Sequence, residues 1–133
     1  MTGLGIKPRY VGKSQFDYLV EADSEKTVRK LDPDFTLLKR TKARGVIVTA
    51  RAESGEFDFV SRFFAPGAGI DEDPVTGSAH CTLVPYWAKR LGKTAFEARQ
   101  LSRRGGALSC ALDGDRVSIA GRAILYLEGR IEV

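Results

Sequence analysis

The spacing of hydrophobic and polar positions changes along this chain, and each change marks an element. Residues 17–22 (DYLVEA) and 45–50 (GVIVTA) carry the β-branched and apolar content of strands. The second is a near-continuous apolar run, the pattern of a buried strand. Between them Asp23 or Ser24 can N-cap a helix running to Leu31, with Glu25 and Lys26 in its first turn. Pro33 stands where a further helical turn can begin, leading into residues 35–38. Residues 57–64 partly alternate, with Phe57, Phe59 and Phe63 on one side, and end at the Ala65-Pro66-Gly67 turn signal. From Glu97 onward the pattern is all-β: residues 107–112, an Asp113-Gly114 turn, residues 116–120, then 123–127, a turn near Glu128-Gly129, and 130–133. The start, through Ser14, reads as an irregular lead-in. This order of elements predicts an α+β fold.

One helix differs from the rest. Thr76-Gly77-Ser78 opens it, Gly92 is placed to end it, and Lys89 and Arg90 lie in its last turn, where cations complement the dipole. From Ala79 to Ala88 it carries no charge, so the pattern predicts burial on most sides by the surrounding strands. Pro85 lies inside it, removes a backbone hydrogen bond and predicts a kink between Cys81 and Pro85.

Composition narrows the function classes. The chain has 133 residues, enough for one domain with a real core, and 43% hydrophobic against 29% charged residues excludes a disordered chain. Two cysteines 29 positions apart make no disulfide framework and no close metal-ligand spacing, which fits a reducing compartment. The N-terminus has no apolar signal core, and no run approaches the roughly 20 apolar residues of a membrane span. The expectation is a soluble cytoplasmic domain without a membrane partner.

Net charge is +4, yet residues 51–85 carry 2 basic against 6 acidic residues. Lys89, Arg90, Lys93, Arg99, Arg103 and Arg104 form the one candidate phosphate-binding patch. No recognition motif accompanies it, so a solvated helix end followed by an exposed strand is the preferred reading and no nucleic-acid partner is expected.

The candidate chemistry sits where the acidic stretch meets the apolar helix. Free N–H groups at Gly77, Ser78 and Ala79 point out of a helix start carrying about half a positive charge, and the Thr76 and Ser78 hydroxyls add donors. That suits a carboxylate or a single phosphate; the plainer reading is a helix capped by Thr76 or Ser78. Asp73, held by Pro74 four residues before Gly77, can face the same pocket from a loop and relay a proton or bind a substrate amine or hydroxyl, or it can cap its own turn. Ser78 and His80 diverge on the helix and make no nucleophile–base pair, and His80 reads as a satisfied core or helix-face residue. One histidine and two distant cysteines exclude a zinc site, and no metal is expected.

The string Glu72-Asp73-Pro74-Val75-Thr76-Gly77-Ser78-Ala79-His80, preceded by Phe57-Asp58-Phe59 and Arg62-Phe63-Phe64-Ala65-Pro66, resembles the phenazine-biosynthesis PhzF-like family. Tyr86-Trp87, Leu91-Gly92-Lys93, Ser102, Arg104-Gly105-Gly106, Gly121-Arg122-Ala123 and Glu128-Gly129 extend the resemblance over essentially the whole chain. It implies one half of a diaminopimelate epimerase-like fold, a mostly antiparallel sheet or open barrel wrapped around one central apolar helix. It further implies a cofactor-independent isomerase or epimerase that moves a proton on a small carboxylate-bearing amino or hydroxy acid. Asp73 would match an active-site carboxylate. Thr76, Gly77, Ser78 and Ala79 would bind the substrate carboxylate. The family's glutamate segment, like Asn-Leu-Ser-Glu-Thr-Ala-Phe, and its Cys-Gly-His-Ala-Thr motif do not occur in residues 1–133. The expectation is a single domain like the family's second half, without the N-terminal half that holds the general-base glutamate. It would be completed by that half or by a second copy in a homodimer, with residues 123–127 as an unpartnered edge. The alternative is a non-catalytic module that binds such a partner.

Overall fold

The computed structural model describes residues 2–132, apart from the Thr2 side chain. Met1 and Val133, the outer ends of the expected lead-in and of the last apolar stretch, lie outside the described residues. Eight strands form one sheet: β1 (Tyr10–Lys13), β2 (Asp17–Glu21), β3 (Gly45–Arg51), β4 (Phe59–Ala65), β5 (Ile70–Asp73), β6 (Ala95–Gln100), β7 (Gly106–Asp113) and β8 (Arg116–Ala120). Their order is β1-β2-β3-β4-β6-β7-β8, with β5 beside β4. Only β2–β3 and β4–β6 are parallel; the other pairings are antiparallel. The α-helices are α1 (Glu25–Arg29), α2 (Phe35–Lys39) and α3 (Gly77–Leu91). The fold is α+β, a mostly antiparallel sheet around one long helix.

The two parallel pairs decide where the helices go. Strands β2 and β3 are joined through α1 and α2, and β4 and β6 through α3. Such crossovers are right-handed in nearly all folds. Because β4 runs antiparallel to β3, the second crossover starts from a reversed strand and must leave from the opposite face. The core divides accordingly. Val20, Val46, Val48, Val60 and Phe64 pack with Val28, Leu31 and Leu38 on one face. Leu19, Ile47, Phe59, Phe63, Phe96, Ala98, Leu108 and Cys110 pack on the other, against Ala79, Leu83, Val84, Tyr86 and Trp87 of α3. Strand β3, buried from Gly45 to Ala50, is covered on both faces, as its apolar run predicts.

The short helices start as their sequences dictate. Ser24 Oγ accepts from Thr27 N at 3.1 Å, and Asp34, the residue after Pro33, accepts from Leu37 N at 3.0 Å. Helix α1 stops at Arg29, two residues short of the expected end. Helix α3 runs unbroken past Pro85 and ends at Gly92, whose φ of 65° is left-handed. The proline costs about 3 kcal/mol. Burying Leu83, Val84 and Trp87 at about 1.5–3 kcal/mol each outweighs it.

Three expectations are corrected. The lead-in is not irregular throughout: Tyr10–Lys13 pairs with β2, because Tyr10 packs its ring on Tyr86 at 5.3 Å. The acidic stretch is a strand, not a loop; β5 is held to β4 because Arg62 grips Glu72 through two hydrogen bonds of 2.6 and 2.9 Å. Helix α3 is covered over its uncharged stretch as expected: from Ala79 to Ala88 only Cys81 is exposed, and Gly77, Ser78, Lys89 and Arg90 are exposed at its two ends. Residues 123–127 form no strand and find no partner; Ile124 is 93% and Tyr126 98% exposed.

Candidate functional site

Two strand ends build the site. Along one edge of β4, β6 pairs with residues 59–61 and β5 with Phe63 and Ala65. Gln100, the last residue of β6, stands opposite Ser61, and Asp73, the last of β5, opposite Phe63. The two chains therefore converge just before α3 begins. Gln100 is fully buried, and both of its N–H donors and its oxygen are engaged. Its Oε1 accepts from Thr76 N at 2.8 Å, and its Nε2 donates to Asp73 O at 2.7 Å and to Thr76 Oγ1 at 3.1 Å. Ser102 Oγ continues the brace by donating to Pro74 O at 2.7 Å.

This bracing leaves the helix start without a side-chain cap. Thr76 holds the N-cap position, but its hydroxyl donates to Asp73 Oδ2 at 2.5 Å instead of turning to the first-turn N–H groups. Gly77 and Ser78 are exposed, whereas Ala79 is buried. Asp73 and Thr76 are thus in direct contact, half-buried and buried respectively. Gly77 lines an open groove of about 1060 Å³ with Val75, Phe57, Arg104 and Gly106. Ser78 lies toward the opposite flank, where its Oγ accepts from Arg44 Nη2 at 3.1 Å.

A polar row on the sheet receives α3. Glu21, Thr49, Ser61 and Gln100 are register neighbours across β2, β3, β4 and β6. Tyr86 donates to Glu21 at 2.5 Å, Trp87 Nε1 to Thr49 Oγ1 at 3.0 Å, and Thr76 N to Gln100. The 11 residues from Thr76 to Trp87 rise about 16 Å. Crossing from β6 to β3 takes two inter-strand spacings, about 10 Å. The helix therefore runs obliquely across the strands, with its first turn over the end of β6.

His80 lies inside this interface, fully buried, its ring 6.1 Å from that of Phe59. Its Nδ1–H donates to the Thr76 carbonyl at 2.8 Å. Its Nε2 and Ser61 Oγ have no hydrogen-bond partner among the described residues. The core placement of His80 holds; its satisfaction is half of what was expected. Desolvation lowers its pKa below the usual 6.5 against the opposing pull of the Thr76 carbonyl, which keeps the ring neutral.

Three contributors carried little signal in the sequence. Gln100 shows as the one polar residue on the inward phase of β6, after Phe96 and Ala98. Ser102 has no such mark. Arg44 precedes β3 without any pattern, and its partner Asp17 opens β2 at a buried position. Of the cations grouped in the candidate phosphate patch, Arg90 pairs with Glu21, Lys93 with Asp58, and Arg99 lies over the Phe57 ring. Among the described residues no cluster of three or more His, Cys, Asp or Glu side chains is placed to hold a metal, and no helix is long and apolar enough to cross a membrane.

The fold and the site define a class: an α+β domain whose long helix starts, uncapped, beside a carboxylate that closes a neighbouring strand. Residues 6–129 match the family model described as phenazine biosynthesis-like protein, and the chain belongs to that family. It is 57% identical to an uncharacterized isomerase of Pseudomonas aeruginosa over 98% of this chain and 49% of that protein. With an uncharacterized isomerase of Halalkalibacterium halodurans it shares 51% identity over 97% of this chain and 49% of the other. The crystal structure of a phenazine biosynthesis PhzF family protein from Enterococcus faecalis superposes with a TM-score of 0.88 at 46% identity, covering 94% of this chain and 47% of that one. The chain spans about half the length of the curated relatives it matches.

Proposed function

We propose that this chain is one wall of an isomerase or epimerase that moves a proton, without a cofactor, on a small carboxylate-bearing amino or hydroxy acid. The observation that carries the reading is the uncapped start of α3 beside the Asp73 carboxylate. The Gly77, Ser78 and Ala79 N–H groups and the Ser78 hydroxyl bind the substrate carboxylate, while Thr76, whose hydroxyl proton goes to Asp73, holds the helix start beside it. The positive end of α3 tempers negative charge that develops as a proton leaves the neighbouring carbon. Asp73, held by Thr76, is the catalytic carboxylate that gives or takes one proton. The second proton-transferring group, a glutamate by family resemblance, comes from a complementing N-terminal half or a second chain. The relatives named as isomerases, about twice as long as this chain, support this reading.

The test is a pair of NMR measurements with a panel of small cyclic amino and hydroxy acids, amide shifts in H2O and deuterium uptake at carbon in D2O. Carboxylates are expected to shift the Gly77, Ser78 and Ala79 amide signals, with no deuterium entering the carbon skeleton. Robust incorporation by this chain alone would overturn the claim that it supplies one of two groups. An unshifted helix start would remove the anion site.

A second reading has its own observation. Ile124, Leu125, Tyr126, Leu127 and Ile131 are each at least 80% exposed, more apolar surface in one segment than a free domain usually shows. A binding module that pairs with another chain or a second copy would cover it. Light scattering after size exclusion decides: a stable monomer at micromolar concentration counts against self-pairing.

A further inference from the structure

The chemistry proposed above needs the Ser78 hydroxyl to donate, and a neighbouring side chain sets that polarity. Arg44 stands just before β3 with one edge of its guanidinium fixed on buried Asp17: Nε donates to Oδ1 at 3.0 Å and Nη2 to Oδ2 at 2.5 Å. The plane sits among aromatic rings, 5.3 Å from Phe16 and 5.8 Å from Phe63. Phe63 reaches it because Gly45 offers no Cβ; a side chain there would overlap the ring. The remaining N–H of Nη2 donates to Ser78 Oγ at 3.1 Å.

We propose that Arg44 is a positioning residue for the substrate carboxylate, acting through Ser78. Resting on the anion site described under Proposed function, the inference concerns how that site is polarised. A serine hydroxyl has one proton to give and two lone pairs to receive, whereas a guanidinium only gives. The cationic N–H on Ser78 Oγ takes one lone pair and repels the hydroxyl proton from its own side. That proton has no acceptor among the described side chains and turns to the exposed side of α3, where it can only be donated. Asp17 makes the arrangement rigid, since removing Arg44 would strand a buried carboxylate. Lysine cannot substitute, because one ammonium lacks the planar fork that spans a carboxylate and a hydroxyl together.

The test uses the full chain and benzoate labelled with carbon-13 in its carboxylate as the probe. Affinity is read from the Gly77 and Ala79 amide shifts, and hydrogen bonding to the probe from its carboxylate shift. Ser78→Ala is expected to weaken binding about tenfold, the worth of a hydrogen bond to a charged group. Arg44→Lys, which keeps the charge beside Asp17, should weaken it equally and move the carboxylate shift in the same direction. The double variant should be no weaker than either single one. Should Arg44→Lys fail to fold, Asp17→Asn/Arg44→Met removes both charges together and carries the same comparison with Ser78→Ala. Wild-type affinity in Arg44→Lys, or losses that add in the double variant, would overturn the proposal while leaving the anion site standing. An unchanged affinity in Ser78→Ala would likewise overturn the proposal, whereas benzoate that shifts no helix-start amide would overturn the anion site itself.

Discussion

His80 is a fully buried imidazole whose pKa desolvation lowers. The unfolded chain protonates it at the usual 6.5, while the folded chain resists protonation because the ring is desolvated. Its folded pKa is therefore the lower of the two. As pH falls through 6.5 the unfolded state takes up a proton first, so this group lowers stability from about pH 7 downward and contributes nothing above it. The melting temperature should fall more steeply between pH 7 and 5 for the wild type than for His80→Leu. Parallel pH profiles for the two would show that the imidazole is not held neutral. At this scale the sequence is only partly legible. Asp73, Gly77 and Ser78 announce themselves through types that matter in sites, whereas Gln100 and Arg44 act through partners 24 and 34 positions away in the chain.

Among the elements, the contact between β7 and the segment leading into α3 is the most tightly constrained. Gly106 opens β7, and a Cβ added there would overlap the Val75 Cγ2 methyl. Val75 lies between Asp73 and Thr76, so strain at Gly106 reaches the carboxylate directly. Gly106→Ala should destabilise by about 1–3 kcal/mol, the usual cost of overpacking, and Val75→Ala in the same chain should restore part of it. Chemical denaturation of the two single variants and the double variant measures this, and strictly additive losses would sink the explanation. Strands β2, β3, β4, β7 and β8 are readable because local patterning is enough to specify them. Strand β5 is not, since Ile70-Asp71-Glu72-Asp73 has no strand-like composition and depends on Arg62 being beside it.

For the molecule as a whole, the division of labour between residues 2–120 and the remainder is sharp. The core clusters end at Val117, and residues 121–132 are exposed throughout. Removing residues 122–133 should therefore change the unfolding free energy by no more than about 0.5 kcal/mol, as for other exposed positions. A large loss in a denaturant titration would mean that the tail packs on this domain in solution. The apolar content of residues 123–127 predicts a strand that the fold does not form, since no edge of this sheet pairs with it.

The buried carboxamide of Gln100 has a kinetic consequence as well. Its partners lie across a crossover, so the brace on Asp73 and Thr76 closes only after β6 has found β4, a contact between residues about 40 apart. Contacts of that span form late because the intervening chain must first be ordered. A partial opening that lifted β6 from β4 would remove the bracing of the α3 start, the proposed anion site, without breaking the β2–β3 pairing. An anion bound at the proposed site would therefore depend on the β4–β6 pairing, and amide exchange near Thr76 should slow when the anion binds.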